Sequence, residues 1–140
     1  MQSKEKEKII IIRLIEDDDI LEQLKKFCEI HNIKTAIVLS GIGQIKNAKL
    51  GYFKEKGNYS PESFDKPLEI LSLSGIINLQ NNEYNLHLHI VLGDENKKAF
   101  GGHLLEGNVS VTAEIVLLKS SIELKRKFDN KTGLYVLYLE

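Results

Sequence analysis

The chain has 140 residues, 42% of them hydrophobic and 28% charged, and a formal net charge of −1. That length fits one domain with its own core, and the balance excludes a disordered chain. Near-neutral charge also argues against unaided nucleic-acid binding, because phosphate neutralisation supplies most of that affinity.

The single cysteine, Cys28, allows no internal disulfide, and the longest apolar run, Ile9 to Ile12, is too short to span a bilayer. Lys4-Glu5-Lys6-Glu7-Lys8 is no start for a signal peptide. A cytoplasmic protein without membrane contact is expected, with residues 1 to 7 as a flexible lead-in.

Lys8 to Ile15, rich in isoleucine, predicts a well-buried first strand. Asp17-Asp18-Asp19 offers helix N-caps, and Ile20, Leu21, Leu24, Phe27 and Cys28 follow at helical spacing. An amphipathic helix ending near His31-Asn32 is expected, with Cys28 in the core and His31 as a C-terminal cap or cation. Thr35 to Ser40 predicts a second strand, ended by Gly41-Ile42-Gly43, and Ile45 to Phe53 a third. A strand, not a helix N-terminus, follows those glycines, so they fit a backbone turn better than a phosphate loop.

Lys54 to Ser63 predicts an exposed loop. Strands are then expected at Leu68 to Leu73, Ile76 to Leu79, Tyr84 to Leu92, Val109 to Leu118 and Leu134 to Leu139, with hairpin turns at Asn81-Asn82-Glu83 and at Asp129 to Gly133. A short helix could follow Lys119, and Lys125-Arg126-Lys127 reads as a solvated turn. This order predicts an α+β fold: a mostly antiparallel central sheet with one main helix, in a single domain over residues 1 to 140 with its core at about 8 to 139.

Three of the four histidines fall between positions 87 and 103. Tyr84, Leu86, Leu88, Ile90 and Leu92 alternate with Asn85, His87, His89 and Val91, so a strand here buries the first set and puts two imidazoles on the opposite face. Side chains two apart on a strand can converge on one zinc ion. His103 becomes a third ligand if the Gly101-Gly102 approach lies beside that strand. Three histidines and an open position make a ligand-exchanging geometry, whereas purely structural zinc sites are closed by four protein ligands. The competing reading is that these histidines hydrogen-bond at a subunit contact or sit in water. Glu106 and Glu114 flank the third histidine segment, and either could be a fourth ligand or orient an imidazole.

Glu69 alternates with Leu71 and Leu73, which places a carboxylate on an apolar face, while Ile70 falls on the other face with Leu68. The carboxylate is a general base, a polar group at a subunit contact, or simply a solvated strand-end glutamate. A strand apolar on both sides needs a helix or another subunit over it, so Glu69, Ile70 and Leu71 are candidate interface residues.

Four stretches carry a family resemblance: Ser40-Gly41-Ile42-Gly43 with Asn47-Ala48; Glu69 to Gly75; His87-Leu88-His89-Ile90; and Gly101 to Gly107 leading into Thr112-Ala113-Glu114. Over residues 8 to 139 the chain resembles the PPC domain, conserved in plants and prokaryotes. The resemblance implies a central antiparallel sheet and a homotrimer. In plants the domain follows AT-hook segments that bind A·T-rich DNA, and bacterial members are often called DNA-binding by that association. No Arg-Gly-Arg-Pro AT-hook core occurs in this sequence, and Lys66-Pro67-Leu68 replaces the first half of the plant motif Gly-Arg-Phe-Glu-Ile-Leu. Three functions therefore compete: a homotrimer with a divalent-metal (zinc) or small-ligand site on His87, His89 and His103; a DNA-associated regulator; and a metal-dependent enzyme with Glu106 or Glu114 as base.

Overall fold

Strict alternation decides the N-terminal strands. In the computed structural model, which describes residues 1–139, β1 (Gln2–Lys6) and β2 (Ile9–Ile15) form an antiparallel hairpin. The first residues are thus a paired strand and not the flexible lead-in expected, because β2 leaves an edge that they cover. Ile10, Ile12 and Leu14 are fully buried, whereas Ile9, Ile11 and Ile15 stay exposed, so β2 is covered on one face only.

Helix α1 (Ile20–Ile30) starts where Asp19 Oδ1 accepts the Glu22 backbone N–H at 2.8 Å. It ends at His31, followed by Asn32 with φ of 52°, a left-handed residue that stops the helix. Ile20, Leu24, Phe27 and Cys28 form its buried stripe and join Ile10, Ile12 and Leu14 in one core. Burial pushes the Cys28 thiol up to about 12, which leaves it an inert core residue. The His31 ring stacks on Phe27 at 4.2 Å.

The other strands are β3 (Thr35–Gly51), β4 (Glu62–Phe64), β5 (Leu68–Gln80), β6 (Glu83–Gly93), β7 (Ala99–Ser120), β8 (Lys125–Asp129) and β9 (Leu134–Tyr138). β3 and β5 each join two expected strands, β6 and β7 run past the expected bounds, β4 and β8 form where no strand is expected, and β9 stops one residue short of the expected Leu139. Gly41-Ile42-Gly43 does not end a strand but continues β3 through register shifts. A Cβ at Gly41 would lie 2.7 Å from Leu73 Cβ, and one at Gly43, whose φ is 135°, would strike the Thr112 carbonyl oxygen. These glycines let neighbouring strands close up. No helix follows Lys119, and Lys125-Arg126-Lys127 lies in β8, paired with β9, and not in a turn.

Every strand pairing is antiparallel. The large sheet runs β1-β2-β7-β6-β5-β3-β4, with an added β7–β3 pairing. β3 pairs β5, β5 pairs β6, β6 pairs the start of β7, and β7 returns to β3, so four strands close into a ring. A register shift between Ile70 and Ser72 puts Ile70 and Leu73 inside and leaves Leu71 half exposed. The expected pairing of Leu71 with Leu73 on one face is therefore broken by a bulge.

On the outer face, directly opposed residues form a transverse row: Ile9, Leu118, Ile37, Ile76 and His87. Ile11, Ile42 and Val111 are exposed on the same sheet, at 53%, 53% and 65%. No helix among the described residues is long and apolar enough to cross a membrane.

Gly75 holds β5 against the histidine strand. Its φ is 151°, and an added Cβ would run into the His87 carbonyl oxygen and lie 2.9 Å from Leu88 Cα. Gly75→Ala is expected to lower stability by more than about 1 kcal/mol, read as a lower urea midpoint at unchanged slope.

Candidate functional site

β6 delivers His87 and His89 to its outer face while Leu88 and Ile90 are buried beneath them. β7 delivers His103, which lies directly opposite His89 on one side and Gly51 on the other. The intervening turn is held by Asp94 Oδ1, which accepts the Asn96 and Lys98 N–H groups at 2.9 Å each. Gly101 and Gly102 are strand residues. A Cβ at Gly101 would meet the Ile90 carbonyl oxygen, and one at Gly102 would sit 2.8 Å from the Gly51 carbonyl oxygen. The double glycine thus permits the approach that brings His103 to the other two.

The three rings form a near-regular triangle, with centroids 5.1 Å (His87–His89), 5.3 Å (His87–His103) and 5.5 Å (His89–His103) apart. One donor nitrogen from each lies within 4.8 Å of the others. His87 Nε2 and His89 Nε2 are 3.2 Å apart. A tetrahedral zinc at about 2.0–2.1 Å from each nitrogen spaces its donors by about 3.3–3.4 Å. These residues therefore fit a divalent cation with little adjustment.

His103 is the anchor of the set. Its Nδ1 is buried with no hydrogen-bond partner among the described residues, a state that normally costs free energy unless another group satisfies it. The Tyr59 ring meets it edge-on at 5.4 Å. Tyr59 in turn occupies the space left by Gly51, where a Cβ would lie 2.5 Å from the ring. Burial, then the neighbouring His87 and His89, holds the His103 imidazole down at about 4. His87 is also lowered, first by burial and then by Arg126 and His89. Both rings are thereby kept neutral, the form that binds metal.

The expected acidic neighbours do not join the cluster. Glu106 accepts from Lys49 Nζ at 3.0 Å, and Glu114 lies further along β7, opposite Arg13 and Ile42. A bulged, long β7 separates residues that looked adjacent in the sequence. Glu69 is exposed on this chain and accepts from Gln44 Nε2 at 2.9 Å.

Two contributors were not among the expected site residues. Tyr59 sits in a polar loop, fixed where the Tyr52 N–H donates to the Tyr59 carbonyl at 2.9 Å. The β8–β9 hairpin supplies Arg126, Leu134, Tyr135, Val136 and Leu137 as the far wall of a 640 Å³ cavity that His87 and His103 also line. The apolar and aromatic run from Leu134 to Tyr138 is the clue to that wall.

The Plants and Prokaryotes Conserved (PCC) domain matches residues 1–121. A plant- and prokaryote-conserved protein from Pyrococcus horikoshii is 34% identical with a TM-score of 0.84, covering 99% of this chain and 94% of that one. A metal-containing protein from Archaeoglobus fulgidus is 32% identical with a TM-score of 0.84, covering 96% of each. A protein provisionally named as DNA-binding, from Bacteroides thetaiotaomicron, is 28% identical with a TM-score of 0.91, covering 98% and 96%. Two curated relatives, from Synechococcus strains and named bifunctional protein GlmU, are 29% and 30% identical over 92% and 95% of this chain. The chain spans 20% of the length of each.

Metal-free protein tests the electrostatics of this cluster directly. Because the His103 value in the fold lies below the ordinary 6.5, the unfolded chain takes up its proton first as pH falls. Stability from this group is therefore full above about pH 6.5 and declines toward pH 4. In an NMR titration the His103 ring resonances should stay flat through pH 6 and move only near pH 4.

Proposed function

Because the chain belongs to the Plants and Prokaryotes Conserved domain family, we propose that it acts as a homotrimer whose His87, His89 and His103 hold one divalent transition metal per chain, zinc first. The observation that carries this reading is the convergence of three imidazoles, one donor nitrogen from each within 4.8 Å of the others. The buried His103 Nδ1 without a hydrogen-bond partner among the described residues stands beside it. The metal-containing relative from Archaeoglobus fulgidus supports it. A zinc ion on three histidines keeps a position open to water or a small ligand and polarises whatever oxygen binds there. The chain's own residues orient and shield the site. Gly101 and Gly102 set the reach of His103, and the Tyr59 ring keeps water from its flank.

Self-association is supported by the outer sheet face. Ile9, Ile11, Ile42 and Val111 leave an apolar surface that α1 does not cover, and copies of the chain are the partner the family resemblance implies.

The DNA-associated reading draws on the name of the Bacteroides relative. The charge distribution favours it less. Lys46 pairs with Asp17 and Glu16, Lys49 with Glu106, Lys119 with Glu5, Lys25 with Glu29 and Lys26 with Glu22. Such paired lysines make a poor phosphate track. An enzyme built on this site would need a base, and Glu106 is already engaged by Lys49.

Tag-free protein should carry one metal per chain by elemental analysis, and His87→Ala or His89→Ala should abolish it while keeping the urea midpoint near that of the metal-free wild type. Full stoichiometry in His89→Ala would falsify the metal assignment. Light scattering at micromolar concentration should give the mass of three 15.9 kDa chains. A mixed-sequence DNA duplex should show no binding in a salt series that starts from low salt.

A further inference from the structure

We infer that the cavity between the histidine face and the β8–β9 hairpin binds a small monocarboxylic acid with an apolar body, its carboxylate held by Arg126. The inference builds on the metal reading, because His87 and His103 line the same space. At 640 Å³ the cavity is of the size that small-molecule sites have, about 300–1,000 Å³. Its walls are mostly apolar: Ile76 and Leu86 on the sheet, and Leu134, Val136 and Leu137 on the hairpin.

Arg126 is the feature that selects the ligand. Its side chain is half buried, and the groups it donates to are neutral: Nε donates to Asn78 Oδ1 at 3.1 Å and Nη1 to the Tyr135 carbonyl at 3.4 Å. No carboxylate lies within ion-pair distance of it among the described residues. Burial alone acts on its ionisation, with no acidic neighbour to offset it. A cation drawn from water into an apolar wall without a counter-charge is costly, and an incoming anion relieves that cost. The guanidinium fork matches a carboxylate in geometry. One cation among apolar walls calls for one anionic group on an apolar body.

The arginine is also preorganised. Its backbone N–H donates to Gln80 Oε1 at 2.7 Å, and its carbonyl accepts from Gln80 Nε2 at 3.1 Å. This paired contact fastens β8 to the end of β5, so the cation is in place before a ligand arrives.

The test is an NMR titration of zinc-loaded and metal-free protein with a panel of straight-chain and aryl monocarboxylates, each beside its neutral primary amide. The wild type, Arg126→Gln, Arg126→Lys and the exposed-loop control Lys66→Gln are compared. At least one acid should bind about tenfold or more tightly than its amide, with shifts on β8, β9 and His87. Arg126→Gln should erase that preference, Arg126→Lys should keep part of it, and Lys66→Gln should leave it intact. Zinc stoichiometry should be unchanged in Arg126→Gln. If zinc fails to bind the wild type but the Arg126-dependent preference persists, the metal reading falls and the carboxylate site stands. The proposal is overturned if no acid in the panel binds, or if acid and amide bind alike. It is also overturned if an aryl phosphonate binds tenfold tighter than the matched acid, or if Arg126→Gln changes the oligomer mass instead of ligand affinity.

Discussion

The close approach of three backbones at Gly51, Gly101 and Gly102 is the constraint on which the histidine cluster depends. A Cβ at Gly101 or Gly102 would push β7 away from β6 or β3, and His89 would no longer face His103. The same opening at Gly51 seats the Tyr59 ring, which closes the flank of His103. Register adds a second layer of control. A slip of one residue between β6 and β7 would send the imidazoles to the core side and Leu88 to the surface, so burial of the apolar set holds the polar set in place.

The two faces of the sheet divide the work. The inner face, with α1 packed on Ile10, Ile12, Leu14 and their neighbours, carries the hydrophobic core. The outer face carries isoleucines and valines toward one side and histidines toward the other, in a row that passes through Ile37 and Ile76. Placing His87 and His103 at the border of apolar surface is what lowers their proton affinity. The exposed apolar surface thus runs up to neutral imidazoles.

The sequence made the histidine face legible because period-two alternation in Tyr84 to Leu92 is free of bulges, and the structure keeps the two sets apart as expected. The helix was equally legible from Asp19 and the Ile20, Leu24, Phe27 stripe. Alternation misleads where a bulge intervenes: Leu71 and Leu73 part company at the Ile70–Ser72 shift, and Gly41 and Gly43 look like a strand end though β3 runs on. Glu106 and Glu114 looked close to His103 only because chain proximity was read as spatial proximity along an extended strand. Arg126 was hidden for another reason. Flanking lysines made it look solvated, and only the tertiary fold of β8 against Gln80 and Asn78 turns it inward.

The length and pairing of β7 have a consequence for how the chain reaches this state. β7 completes its ladders with β2 near one end of the chain, with β3, and with β6, so the ring closes only after distant segments have met. Contacts of such large sequence separation place the protein among slow-folding topologies, on the millisecond-to-second scale. His87 and His89 share one strand from the outset, but His103 joins them only when the ring shuts. A cation held by all three histidines would therefore not template the early collapse as it does in a small zinc finger; it would lock a ring of strands that has already found its register.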